Sequence, residues 1–345
     1  MNKWQELGVE KQERYIREAE SRTGIVVNAI EKDWWVTTVL RALFSTGASK
    51  YLIFKGGTSL SKGWKAIERF SEDIDLAIER TYLGFTDEQL TNNTQIKKLK
   101  KACWHDIHER IVPELKENLE KMGIVDFEIQ FPDSQNSTVE PVTFWVNYKS
   151  LFPSIDYIPS RVKVEMTARS LYEPYEEILM NSILSEVFPK ASFAEVPFPV
   201  RTAIIKRTFL EKIFLLHEKC KQDHPEQERI TRHLYDLSKL MDFPEGIEAL
   251  QDPDLYTIIV KHRYELNNIP GLNYRLHHPR SINFLPEDPA ALESWKADYQ
   301  KMLESFIYEE NPLSFEDLLE KMNRLLENIR RIQINDEFFN DDQVK

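Results

Sequence analysis

One stretch constrains the rest of the chain: Tyr51 to Glu79, YLIFKGGTSLSKGWKAIERFSEDIDLAIE. Its apolar run Leu52-Ile53-Phe54 is broken by Gly56-Gly57 and followed by Leu60, Trp64 and Ile67 at helical spacing, which predicts strand, tight turn, helix. Then comes Asp73-Ile74-Asp75-Leu76-Ala77-Ile78, where alternate residues of an extended chain point to one side. Both carboxylates therefore share a face, with Ile74 and Leu76 on the other. Two carboxylates this close repel each other and are costly to desolvate, so the pair suits a hard divalent cation such as Mg²⁺. The turn Gly56-Gly57-Thr58 opens a helix, and its N–H groups can receive phosphate oxygens. The stretch predicts a metal–phosphate site.

An Asp-x-Asp alone carries little weight, because Asp and Glu make up 57 of the 345 residues. Gly-Gly-Thr at this distance ahead of it is far more specific. Together they resemble the signature of the polymerase-beta-like nucleotidyltransferases. The fuller strings FKGGTSLSK and RFSEDIDL resemble the AbiEii-type branch, the nucleotidyltransferase toxins of abortive-infection and type IV toxin–antitoxin systems. The resemblance covers most of the chain. It implies an α+β fold: an N-terminal nucleotidyltransferase core, with a small mixed sheet flanked by helices, followed by a mainly helical C-terminal region.

Composition adds exclusions. Hydrophobic residues at 41% with 30% charged describe an ordinary globular chain. No apolar run approaches the roughly 20 residues that span a bilayer, and Met1-Asn2-Lys3-Trp4 does not begin a signal peptide, so a cytoplasmic protein is expected. Cys103 and Cys220 offer neither a CxxC zinc knuckle nor a disulfide framework. A net charge of −12 argues against sequence-independent coating of nucleic acid. Local basic clusters remain: Lys97, Lys98, Lys100, Lys101, His105, His108 and Arg110, and separately Lys206, Arg207, Lys212, Lys219 and Lys221. The first reads foremost as a solvated helix face, with an RNA backbone as the alternative.

Taken in order, the chain predicts a helix from about Trp4 to Glu20 and another from about Val26 to Phe44. Val26, Ile30, Thr37, Leu40 and Leu43 of the second form one apolar side, with Asp33 inside the stripe. An acid there needs a partner, so Asp33 is expected to cap or pair with a basic group, and Trp34 and Trp35 to anchor the helix on the core. Glu88 to Gly123 reads as helical, with Trp104, Ile107, Ile111 and Leu115 on one side. Phe127–Gln130 and Phe144–Tyr148 alternate like strands, separated by the turn-rich 132–137. Arg161–Thr167 alternates too, placing Glu165 on its polar side, where it serves either as the family's third carboxylate or as a partner for a lysine. The Pro-rich span from Phe188 to Val200 gives the boundary, with prolines at 189, 197 and 199 blocking regular structure, and predicts domains over 1–195 and 196–345.

Beyond it helices are expected at about 202–219 and 226–241, with more around Tyr256, Trp295 and Leu318. Ile205, Phe209, Ile213 and Leu216 form the stripe of the first, and Lys212 lies beside it, where an ammonium must reach water or an anion. The resemblance assigns Lys212 to the nucleotide phosphates, with Lys206 as its rival. Asp236, four residues after Arg232, is either an intrahelical ion-pair partner or, by resemblance, the residue that orients Lys212 or the acceptor hydroxyl. Lys261, His262, Arg263, Arg275, His277, His278 and Arg280, with Tyr264 and Tyr274 as stacking platforms, form either an acceptor groove or a solvated basic loop. His277-His278 lacks a third metal ligand at sensible spacing. The end, DEFFNDDQVK, reads as a frayed acidic tail.

The resemblance implies metal-assisted transfer of NMP from an NTP to an RNA acceptor, tRNA among the candidates. Asp73, Asp75 and Glu165 would hold Mg²⁺ (or Mn²⁺), with Glu165 also helping to deprotonate the attacking hydroxyl. Gly56, Gly57 and Thr58 would cradle phosphates, and Lys212 would add a point charge. Ser71, two residues before Asp73, is a further nucleotide-contact candidate, and a phosphate placed on it would set like charge beside Asp73. The implied role is a growth-inhibiting toxin restrained by a cognate antitoxin. A small-molecule nucleotidyltransferase of the antibiotic-modifying type, a protein nucleotidyltransferase and a degenerate binding module are the alternatives. The last would be expected to lose some of Gly57, Asp73, Asp75 and Lys212, and all are present.

Overall fold

The computed structural model describes residues 3–134, 136–153, 158–221 and 229–340. Gln135 of the predicted turn, the start of the helix expected from Glu226 and the last residues of the acidic tail lie outside them. The chain divides into two compact units: 1–64 with 70–203, and 65–69 with 204–345. The division thus falls after Ala203, past the Pro-rich span at 195, and the short segment Lys65–Arg69 belongs with the C-terminal residues.

The first unit is built on a mixed sheet of seven strands: β1 (Leu52–Lys55), β2 (Ile74–Ile78), β3 (Phe127–Gln130), β4 (Val142–Tyr148), β5 (Arg161–Thr167), β6 (Tyr175–Met180) and β7 (Phe198–Ala203), in the order β3-β4-β5-β2-β1-β7-β6. Helices α1 (Val9–Thr23), α2 (Val27–Leu43), α4 (Asn93–Asp106), α5 (Val112–Lys121) and α6 (Ile183–Val187) flank it, and the short α3 (Gly56–Thr58) follows β1. Alternation decides the two faces. Phe54, Leu76, Met166 and Val142 follow one another across the sheet in register and are fully buried. The adjacent residue of each strand, Lys55, Asp75, Glu165 and Thr143, does the same on the opposite face.

α2 departs from the expected one-sided stripe: nearly every residue from Asn28 to Leu43 is buried, so it runs through the unit rather than along its surface. Its ionisable residues Glu31, Lys32 and Asp33 are buried with the rest. Trp34 packs edge-on against Trp35, and Trp35 stacks on Tyr148 at 4.7 Å, the anchoring expected of them. Asp33 pairs with Lys62 at 2.6 Å and accepts from the Ile183 N–H, so the basic partner and the capping role are both present.

The Pro-rich span is corrected. β7 runs through Pro199, and Thr202, expected at a helix start, is strand paired with Phe54 of β1. Proline lacks a donor, and Pro199 lies three residues before Thr202, where β7 meets β1, and across from Leu179 of β6.

The second unit is helical: α7 (Ile205–Cys220), α8 (Thr231–Leu240), α9 (Pro244–Ala249), α10 (Pro253–His262), α11 (Pro289–Ser305), α12 (Phe315–Ile329) and α13 (Glu337–Asn340). The second basic cluster is divided: Arg207, against Glu211, and Lys212 are buried, whereas Lys206 and Lys219 are partly exposed and Lys221 is exposed. Nor is Tyr274 a stacking platform, because it is fully buried on His277, which itself meets Glu218 at 3.2 Å. Lys97, Lys98 and Lys101 of α4, by contrast, are exposed.

Candidate active site

The carboxylates are placed by the ladder. Asp75 lies directly across from Lys55 of β1 and, on its other side, from Glu165 of β5, so Asp75 and Glu165 are neighbours on one face. Asp73 sits two residues earlier, just outside β2. The turn closes on the same point. Gly56 has φ +83°, and a Cβ built there would lie 2.2 Å from Asp75 Oδ2. No L side chain fits between the turn and that carboxylate, so glycine is required both by conformation and by space. Gly57 and Thr58 begin the helical turn, which continues as a wider π-type turn over Ser59–Gly63. Thr58 is buried, and its hydroxyl donates to Ser71 Oγ at 3.0 Å, tying the turn to the segment that leads into Asp73.

Glu165 is held by its own strand. Lys163 Nζ lies 2.8 Å from Glu165 Oε1, and Thr143 donates to the same oxygen at 3.4 Å. The lysine-partner reading of this acid is therefore present, with the partner two residues along the strand rather than across it. Among the described residues no three His, Cys, Asp or Glu side chains converge as a ready-made metal cage. Mg²⁺ does not need one, since it is commonly bound through one or two carboxylates plus substrate phosphates. Paired Asp oxygens beside a backbone turn are a donor set of that kind.

Lys32 of α2 is a residue that the sequence did not single out. Its Nζ lies 2.7 Å from Glu72 Oε2, next to Asp73 in sequence, and donates to Pro159 O at 2.9 Å. Burial pushes the ammonium below its ordinary pKa, opposed by the nearby charges of Glu72 and Asp73. No local sequence signal marks it, because the apolar spacing reads this helix as one-sided.

In the helical unit, Lys212 and Asp236 come together: Lys212 Nζ is 2.8 Å from Asp236 Oδ2. Arg69 completes the group, donating from Nε and Nη2 to the two oxygens of Asp236 at 2.7 and 2.8 Å. Asp236 is fully buried. Desolvation alone would raise its pKa, but the Arg69 and Lys212 charges outweigh it and hold the carboxyl below its ordinary value. Burial is the larger influence on Lys212 and pushes its ammonium down despite Asp236. Lys206 instead pairs with Glu248 at 2.6 Å near the surface.

The family described as nucleotidyl transferase AbiEii toxin, type IV toxin–antitoxin system, matches residues 38–321, which include the glycine turn, Asp73, Asp75, Glu165, Lys212 and Asp236. The chain belongs to the AbiEii family. It is accordingly a nucleotidyltransferase toxin of the type IV toxin–antitoxin class. A solved structure similar to this AbiEii chain is MenT4, a nucleotidyltransferase toxin from Mycobacterium tuberculosis H37Rv, at 15% identity and a TM-score of 0.45, covering 93% of this chain and 98% of that one. No curated protein matches by sequence.

Two outcomes follow for this AbiEii protein. Gly56→Ala, forcing a Cβ into Asp75 at positive φ, should destabilise the sheet unit by more than about 1 kcal/mol in chemical denaturation. Asp236→Asn leaves two cations buried against a neutral amide and should cost about 3–5 kcal/mol near neutral pH. Because the Asp236 pKa is lowered on folding, its contribution is complete above the ordinary aspartate value of about 3.9 and is lost as pH falls through the lower folded value. The gap between wild type and variant should therefore shrink in acid.

Proposed function

We propose that this toxin transfers the NMP moiety of an NTP to a hydroxyl of an RNA acceptor, tRNA first among the candidates, at the face carrying Asp73, Asp75 and Glu165. The observation that carries the reading is the register of Asp75 with Glu165, directly against a glycine turn that no side chain can occupy. Chemistry of this kind depends on positioning and electrostatics more than on covalent help from the protein. Asp73 and Asp75 would hold Mg²⁺ (or Mn²⁺), which when bound offsets negative charge on the triphosphate. The N–H groups of Gly56, Gly57 and Thr58 would receive phosphate oxygens, with Ser71 Oγ beside them. The acceptor oxygen bonds to the α-phosphorus, the α–β bridging bond breaks, and pyrophosphate leaves. Glu165 takes the hydroxyl proton, with Lys163 steadying its charge in the resting enzyme.

In the helical unit, Lys212 is proposed to supply positive charge to the phosphates, held in place by Asp236 and Arg69. The exposed lysines of α4 offer charge for an RNA backbone. The biological role proposed is growth inhibition in the cytoplasm, including an abortive response to phage, restrained by a cognate antitoxin. No described helix is long and apolar enough to cross a membrane.

Incubation of the purified protein with Mg²⁺, each α-labelled NTP and total cellular RNA tests the reading. Label should enter a discrete RNA band with one preferred NTP and be lost with Asp73→Ala or Asp75→Ala. Label in protein or a small molecule instead of RNA would overturn the acceptor assignment.

A further inference from the structure

Asp75 has two supports, the ladder on both sides and Gly56 above it. Asp73 has neither, because β2 begins at Ile74, the first of its residues paired with β5. Two carboxylates that act together need a fixed separation, so something outside the sheet must hold the chain at this point. That support comes from α2. Lys32 is 2% exposed, so its ammonium cannot be a solvated surface charge. It meets Glu72 at 2.7 Å and the Pro159 carbonyl at 2.9 Å, joining the residue before Asp73 to the residues that lead into β5 and Glu165. The next residue of the helix, Asp33, holds Lys62 at 2.6 Å, and Lys62 closes the turn that Gly56 opens and donates to Asn181 O at 2.8 Å. Adjacent side chains of one buried helix thus reach both halves of the candidate site.

We propose that Lys32 is a positioning residue for nucleotidyl transfer: through Glu72 it sets Asp73 at its working distance from Asp75 and from the strand of Glu165. This rests on the reading of Asp73 as a metal-binding carboxylate. A buried ion pair is weak evidence for stability, since apolar or neutral replacements of similar volume often serve as well, whereas losing one partner strands the other. The two roles can be separated on that basis. Lys32→Met alone should destabilise the sheet unit by removing the buried cation that pairs with Glu72. The double variant Lys32→Met/Glu72→Gln removes both charges at nearly constant volume and should regain most of the lost stability.

The test compares wild type, the double variant, Lys32→Arg and Asp73→Asn by thermal unfolding, by Mn²⁺ binding in the presence of a non-hydrolysable NTP analogue, followed by electron paramagnetic resonance, and by steady-state transfer. The double variant is expected to unfold near the wild-type temperature, yet to bind Mn²⁺ with the analogue at least about tenfold more weakly and to lose kcat by about 10- to 100-fold, the range expected of a misplaced group. KM for the acceptor should be little changed, and Lys32→Arg should recover part of both losses. A double variant of normal stability with wild-type Mn²⁺ binding and kcat, beside an Asp73→Asn that has lost binding, overturns the role of Lys32 and leaves the metal reading intact. Wild-type Mn²⁺ binding by Asp73→Asn overturns both.

Discussion

Three consecutive ionisable residues, Glu31, Lys32 and Asp33, are buried on α2, and a buried charge without a partner costs more than a small domain can carry. Each is therefore bound to a different part of the sheet unit. Glu31 accepts from the Leu151 N–H and the Ser150 hydroxyl, and burial pushes its carboxyl above the ordinary range. Lys32 joins Glu72 to Pro159, and Asp33 joins Lys62 to the start of α6. The segments that reach α2 include those on either side of the candidate site. A helix that must bury these charges can do so only if the glycine turn, the lead into Asp73 and the lead into β5 are all in place. Folding of α2 and assembly of the site are in this sense one requirement.

The sheet supplies the other half. Its buried face, with Phe54, Leu76, Met166 and Val142 across four strands, anchors the register by apolar burial, because a slip of one residue would turn that whole row toward solvent. The same register puts Asp75 beside Glu165, so the core sets which acids are neighbours. Like charges side by side are unfavourable unless another group offsets them. Lys163 does this for Glu165. The close approach of Gly56 leaves no room beside Asp75 for a side chain on the turn.

Much of this was legible. The strands Phe127–Gln130 and Arg161–Thr167 lie where period-two alternation predicts them: the second alternates buried with more exposed residues, and the first half-buried with exposed ones. The strand and the helical turn that follows it come from local pattern, although the turn ends at Gly63, short of Trp64 and Ile67, and Asp75 lies in the strand where Asp-x-Asp predicts it. What escaped depends on long-range pairing. Arg69 stands in the string that carries the motif, but its bidentate grip on Asp236 spans a sequence separation of 167 residues that no local pattern records. The amphipathic reading of α2 failed because periodicity shows which residues are apolar, and here the polar ones are buried too, by pairing. β7 was hidden by Pro199, which lies short of the strand's pairing with β1 at Thr202. Tyr274 looked like an exposed aromatic among basic residues, yet Glu218 draws Arg263 and His277 inward around it.

The central claim is that Asp73 and Asp75 hold a divalent cation against a triphosphate lying on the Gly56–Thr58 turn. Anomalous diffraction from crystals grown with Mn²⁺ and a non-hydrolysable NTP analogue tests it most directly. The account predicts an anomalous peak about 2.0–2.6 Å from oxygens of both aspartates, shared with phosphate oxygens. A nucleotide bound elsewhere, or Mn²⁺ coordinated without either aspartate, would contradict it.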